Sequence, residues 1–260
     1  MIGLDFGFGP IEAEFWRWAF IMTRIGAALM AAPFFGATSV PMQVRVIMTG
    51  AVGVLVCNWT GVQAPPALLS VPGLLAVMGE VLIGLTLGFV LQIAFAAPVI
   101  SAELVGAGMG MSIASSADPN SGAHSPALGQ YYSVVLTLVF LGLGGHLLFL
   151  DLVVKSYESF PPGQTWLGPE RLGVVISFGG DMLLTALAIA LPVVLILMLV
   201  HFAAGVLSRS APSLNLFALG LPAGVLAGIA ALIMTAPLLP EAMAALTADA
   251  LHQAESVIAK

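Results

Sequence analysis

Residues 72–105 read PGLLAVMGEVLIGLTLGFVLQIAFAAPVISAELV, a run in which Glu80 and Glu103 are the only charges. It shows no alternation of period two and is far too long for a barrel strand, so it reads as helix. Pro72 suits a first helical turn. At 1.5 Å per residue the run would be about 50 Å long, against a bilayer hydrocarbon core of ~30 Å. It therefore outruns a simple membrane crossing.

Five similar segments flank it, at about Phe15–Ala32, Pro41–Trp59, Ala127–Tyr157, Pro169–Leu207 and Leu214–Val257, separated by Pro, Gly, Ser and Asn. The expectation is an all-α, integral membrane-type protein of about six long apolar helices with no β-sheet. Pro98, Pro192, Pro222 and Pro237 are the candidate kinks or breaks.

Composition points the same way. Apolar residues make up 60% of the 260, and counting the 29 glycines raises this to about 71%, against ~45–50% in soluble domains. Charged residues are 8% against a usual ~25%, too few to cover a soluble core of this size. Seven scattered Lys and Arg give no basic footprint, which argues against nucleic acid as a partner. Cys57, the single cysteine, leaves no disulfide framework or Cys-based metal site and reads as a small buried hydrophobe. Met1–Phe15 carries Asp5, Glu12 and Glu14 but no cation, the wrong pattern for a cleavable signal, so the first apolar helix is expected to stay in the mature chain. With six crossings, one side would collect Arg17, Lys155, Arg171 and Lys260 and the other Arg24, Arg45 and Arg209. That balance orients nothing.

Catalytic and cofactor patterns fail. There is no H-E-x-x-H and no G-x-S-x-G. Gly106, Gly108 and Gly110 spell G-x-G-x-G, but Met111 stands where a dinucleotide fingerprint needs glycine. The histidines lack metal-ligand spacing, and His146 and His201, inside apolar helices, read as hydrogen-bonded packing residues. No catalytic residue, metal ligand or cofactor site is expected.

Three features remain. Glu80 is the only charge between Val46 and Ala102; it is either a proton-relay carboxylate or a satisfied polar contact to a neighbouring helix, and no partner for it stands out. Gly84 with Gly88, and Gly220 with Gly224 and Gly228, have the spacing that lets helix backbones approach closely, against another subunit or within the chain. Gly106–Pro126, GAGMGMSIASSADPNSGAHSP, is a long, nearly uncharged connection whose Asp118-Pro119-Asn120-Ser121-Gly122 is a turn signature. Loops this long are often functional. Small residues beside Met109 and Met111 suit an element that packs and then yields.

Taken in order, these residues resemble the FliR family of the flagellar type III export gate. The resemblance rests on Arg24-Ile25-Gly26, Pro33-Phe34-Phe35-Gly36, Pro41 and Arg45, then Gly79-Glu80 with Gly84 and Gly88. It continues through Gly108-Met109-Gly110-Met111-Ser112, Asp118-Pro119, Gly145-His146, Ser156 and Pro161, and ends with Arg209, Pro212, Asn215, Gly220 and Pro222. The virulence secretion gates have a related subunit, but the Pro33–Gly36 block reads closer to the flagellar branch. The resemblance implies a non-enzymatic subunit without cofactors, in the bacterial inner membrane at the flagellar basal body. It implies assembly with FliP-like, FliQ-like and FlhB-like proteins into a pore for unfolded flagellar proteins, as a tilted helical stack raised out of the bilayer plane. It further implies that residues 1–165 are FliP-like and 166–260 a FliQ-like hairpin. The role of a plug in the closed pore falls on Gly106, Gly108, Met109, Gly110, Met111, Ser112, Asp118 and Pro119. The competing reading is a secondary transporter for a small solute with Glu80 at its site.

Overall fold

The computed structural model describes residues 10–65, 68, 70–111, 126–162, 168–210 and 216–259. Among them are eight α-helices and no strand. These are α1 (Pro10–Ala31), α2 (Met42–Trp59), α3 (Val71–Gly108), α4 (Pro126–Gly142), α5 (Gly145–Ser159), α6 (Pro169–Ser210), α7 (Leu216–Thr235) and α8 (Leu239–Ile258), with a 3-10 turn at Ala236–Leu238.

Six apolar segments become eight helices because two are interrupted. The fourth breaks at Gly142-Leu143-Gly144-Gly145, where Gly144 adopts φ 71°, a conformation open to glycine and costly for other residues. The sixth breaks at Pro237, inside the 3-10 turn. The other three prolines interrupt nothing: Pro98, Pro192 and Pro222 lie within α3, α6 and α7. With 38 and 42 residues, α3 and α6 are about 57 and 63 Å long. Four stretches are long and apolar enough to cross a membrane, namely α2, α3, Pro169–Arg209 and Pro222–Ile258; the interrupted α4–α5 pair makes a fifth if counted as one span.

The chain forms two compact units, each built from separated segments. The first comprises Met1–Ile93, Gly144–Phe178 and Asp249–Lys260, and the second Ala94–Leu143 and Gly179–Ala248. In the first, α1 buries Phe20, Ile21, Ile25 and Leu29, α3 buries Ile83 and Leu87, and α5 buries Phe149 and Val153. The Pro33–Gly36 stretch ends α1 and sends Phe35 against Phe149, ring centroids 6.4 Å apart. Gly36 has no room for a Cβ, which would strike the carbonyls of Met30 and Ala32.

α1 and α2 pack through small residues. A Cβ on Gly50 or Gly53 would come within 3.2 Å of the Trp18 ring, and Trp18 Nε1 donates to the Gly50 carbonyl at 3.0 Å. Arg17 then caps α2: it donates to the carbonyls of Cys57 (2.7 Å), Thr60 (2.6 Å) and Val62 (2.6 Å), at the helix end where a cation is favoured. Cys57 itself is only half-buried. In the second unit Val105, Met109, Ala190, Val193, Leu197 and Ala231 form a dry core.

Candidate functional site

The first unit encloses a fully buried ion pair. Arg24, in the middle of α1, donates from Nε to Glu80 Oε2 at 2.7 Å and from Nη2 to Glu80 Oε1 at 2.9 Å, the bidentate fork that matches guanidinium to carboxylate. Nη1 donates to Ser156 Oγ at 3.1 Å and Nη2 also to the Phe160 carbonyl at 2.8 Å. Arg24, Glu80 and Ser156 have no solvent exposure. The guanidinium lies 4.0 Å from the ring centroid of Tyr157, whose hydroxyl donates to the Ile21 carbonyl at 2.8 Å. A desolvated charge is tolerated only when paired and hydrogen-bonded, and this one joins α1, α3 and α5.

The contact depends on two glycines. Glu80, Gly84 and Gly88 lie four residues apart and so share one face of α3. A Cβ on Gly84 would overlap the Arg24 carbonyl, and one on Gly88 would fall 2.6 Å from the Ala28 carbonyl. The two backbones thus touch one and two turns beyond Glu80, which brings α1 near enough for Arg24 to reach it.

The second unit holds the root of the central connection. The expected loop began at Gly106, but Gly106 and Gly108 are the last turn of α3. Gly110 closes it with φ 80°, its N–H bonded to the Ala107 carbonyl at 3.0 Å. Met109, 4% exposed, belongs to the core rather than to a loose loop. Its thioether lies in the space a Cβ on Gly228 would occupy, with Sδ at 2.8 Å and Cε at 2.9 Å. A Cβ on Gly224 would meet His201 Cε1 at 3.2 Å and the Met109 carbonyl at 3.4 Å, and His201 Nε2 lies 2.8 Å from the Gly108 carbonyl. Gly224 and Gly228 of α7 thus both pack on Met109. Among the described residues nothing lies within 4 Å of a Cβ on Gly220. Ser112, Asp118 and Pro119 lie outside the described residues.

Several expectations need correction. Arg24, counted among the cations that would flag one side of the membrane, is buried inside α1 and is the partner that Glu80 lacked. Its signal was faint: Arg24 is one of two arginines in its apolar run and Glu80 one of two acids in another. His146 Nδ1 is buried with no hydrogen-bond partner among the described residues, so this ring nitrogen does not make the expected packing bond. His201 is bonded but exposed. Among the described residues no three His, Cys, Asp or Glu side chains are grouped to hold a metal.

The family described as bacterial export proteins, family 1, matches residues 15–250. The protein named flagellar biosynthetic protein FliR in Pectobacterium carotovorum subsp. carotovorum is 30% identical over 86% of this chain and 84% of its own length. The protein of that name in Escherichia coli K12 is 30% identical over 84% and 83%, and that of Bacillus subtilis 168 is 33% identical over 78% and 79%. The chain belongs to the FliR family. The matched span contains both the Arg24–Glu80 pair and the Met109–Gly228 contact, so each lies within the FliR-like region.

Proposed function

We propose that the chain is a non-enzymatic subunit of the flagellar type III protein export gate, placed in the bacterial inner membrane at the basal body. The observation that carries this is the FliR likeness over most of the chain's length, together with several helices able to cross a membrane. The partners would be FliP-like, FliQ-like and FlhB-like proteins, and the cargo unfolded flagellar proteins. On this reading residues 1–165 play the FliP-like part and 166–260 the FliQ-like hairpin. The transporter alternative loses its residue, because both carboxylate oxygens of Glu80 are already bonded to Arg24.

Deleting the gene from its host should abolish motility and the appearance of flagellar proteins in the medium, and the gene supplied in trans should restore both. Normal filaments in the deletion strain would sink the proposal. The connection from Gly106 to Asp118-Pro119 is the proposed plug. Because Met109 is core, the deletion that tests it removes residues 113–120 and spares the α3 cap. The gate should then assemble and leak small ions. An assembled, tight gate would reduce the segment to a connector.

A further inference from the structure

We infer that His201 of α6 and the hollow at Gly224 and Gly228 of α7 form a two-part latch on the end of α3. His201 is a positioning residue that holds a carbonyl of the last turn, and the hollow holds the Met109 side chain. The inference rests on the plug reading proposed above and adds which residues of this chain keep the root of that segment in place.

A helix ends in carbonyls that lack an intrahelical partner. At the end of α3 the Met109 N–H bonds the Val105 carbonyl at 2.9 Å and the Gly110 N–H the Ala107 carbonyl at 3.0 Å. Gly110, at φ 80°, then turns the chain out of the helix. The Gly108 carbonyl takes its donor from another helix: His201 Nε2 lies 2.8 Å away, 93 positions along the chain. A carbonyl only accepts, so this ring nitrogen carries the proton. The donor sits at the negative end of the α3 dipole, where positive partial charge is favoured.

The second part is steric. Met109 is buried in the core with Val105, Leu197 and Ala231, and its side chain fills the space beside Gly228 that a Cβ there would need. One turn earlier on the same face of α7, a Cβ on Gly224 would meet both the His201 ring and the Met109 carbonyl. One strip of α7 therefore backs both contacts. Both are also of a kind that can be undone. His201 is exposed, so no core holds its ring, and a methionine side chain is unbranched with three rotatable bonds. Withdrawing one thioether and breaking one hydrogen bond frees the end of α3. Nothing there resembles Gly84 and Gly88, where backbone abuts backbone.

Two readouts test the latch in the full chain co-expressed with its gate partners. In a Cys57→Ser background, Ala107→Cys puts a spin label on an exposed position of the last turn of α3, and the conductance of the gate is measured without the label. His201→Phe keeps a ring beside Gly224 and removes the donor. His201→Gln restores a donor nitrogen at the same number of bonds from the backbone, and Gly228→Leu expels the Met109 side chain while leaving His201 intact. Loss of one net hydrogen bond shifts a two-state ratio about threefold to tenfold, so His201→Phe should raise the mobile fraction of the label and the conductance by that factor. His201→Gln should return both to within about twofold of the unaltered gate, and Gly228→Leu should raise both at least as far as His201→Phe. An immobile label in His201→Phe, or a label as mobile in His201→Gln as in His201→Phe, overturns the inference. Should His201→Phe fail to co-purify with the partners, Gly228→Leu decides, and an immobile label there overturns it. The deletion of residues 113–120 separates the latch from the plug. A tight deletion gate overturns the plug and the conductance expectation with it, and the label then reads the latch by itself. A leaky deletion gate with an immobile label in His201→Phe overturns the latch alone.

Discussion

Arg24 and Glu80 illustrate why a buried charge must be judged with its partner. Removing one member leaves the other unpaired in a dry interior, which costs about 3–5 kcal/mol, while replacing both by apolar groups is often neutral or stabilising. Glu80→Leu and Arg24→Met should each lower the thermal midpoint of the assembled protein markedly, and the double substitution should recover most of the loss. Thermal unfolding of the four members of this cycle measures it, and additive single effects would show that the two side chains do not couple. Tyr157→Phe, which removes only the hydroxyl bond to the Ile21 carbonyl, should cost about 1 kcal/mol. Glu80 was legible in the sequence as a lone acid. Its partner was not, because the apolar run Phe15–Ala32 holds both Arg17 and Arg24 and nothing in the spacing says which of them reaches Glu80.

Helix spacing made the close approaches legible but not the surfaces that meet. The 84/88 and 224/228 pairs look alike in sequence, yet the first abuts the backbone of α1, while Gly224 faces the His201 ring and the Met109 carbonyl and Gly228 the Met109 side chain. A methyl group at position 84 meets a carbonyl that cannot move without shifting α1, whereas one at 228 meets a side chain able to change rotamer. Overpacking costs about 1–3 kcal/mol, so Gly84→Ala should fall at the top of that range and loosen Arg24 from Glu80. Gly228→Ala should fall at the bottom, and Gly220→Ala, with nothing within 4 Å of its Cβ among the described residues, should be close to silent. Limited proteolysis and thermal unfolding of the three variants give the order, and a more harmful Gly228→Ala would show that Met109 is held rigidly. The misplaced loop boundary has a related cause. Glycine at 106 and 108 lowers helix propensity by about 1 kcal/mol each, but packing can override propensity: a Cβ on Gly108 would lie 3.0 Å from Leu197 of α6.

For the whole molecule, class and family were readable from composition and motif order, while orientation was not. Four of the seven cations that should flag the cytoplasmic side are engaged by other parts of the protein. Arg17 caps α2 and Arg24 is buried, Arg45 bonds the Ala37 carbonyl, and Arg171 lies over the Phe160 ring and bonds the Ala259 carbonyl. Their distribution records helix packing and not loop charge. What the chain leaves uncovered is apolar, above all along α6, where Ile176, Leu184, Met198, Leu199 and Phe202 are exposed. Expressed alone, the subunit should therefore aggregate in detergent, and co-expression with its gate partners should rescue it; a stable monomer would count against the assembly. Gly180→Leu separates the two needs of that surface. Among the described residues nothing lies within 4 Å of its Cβ position, so the folded subunit and its insertion should be unaffected. A partner helix seated on the exposed glycines would instead be pushed away, with no compensating hydrophobic gain inside a membrane. Recovery of the complex by co-purification should drop sharply while the subunit's amount in membranes stays level. Undiminished recovery would mean that no partner helix is seated on this face of α6.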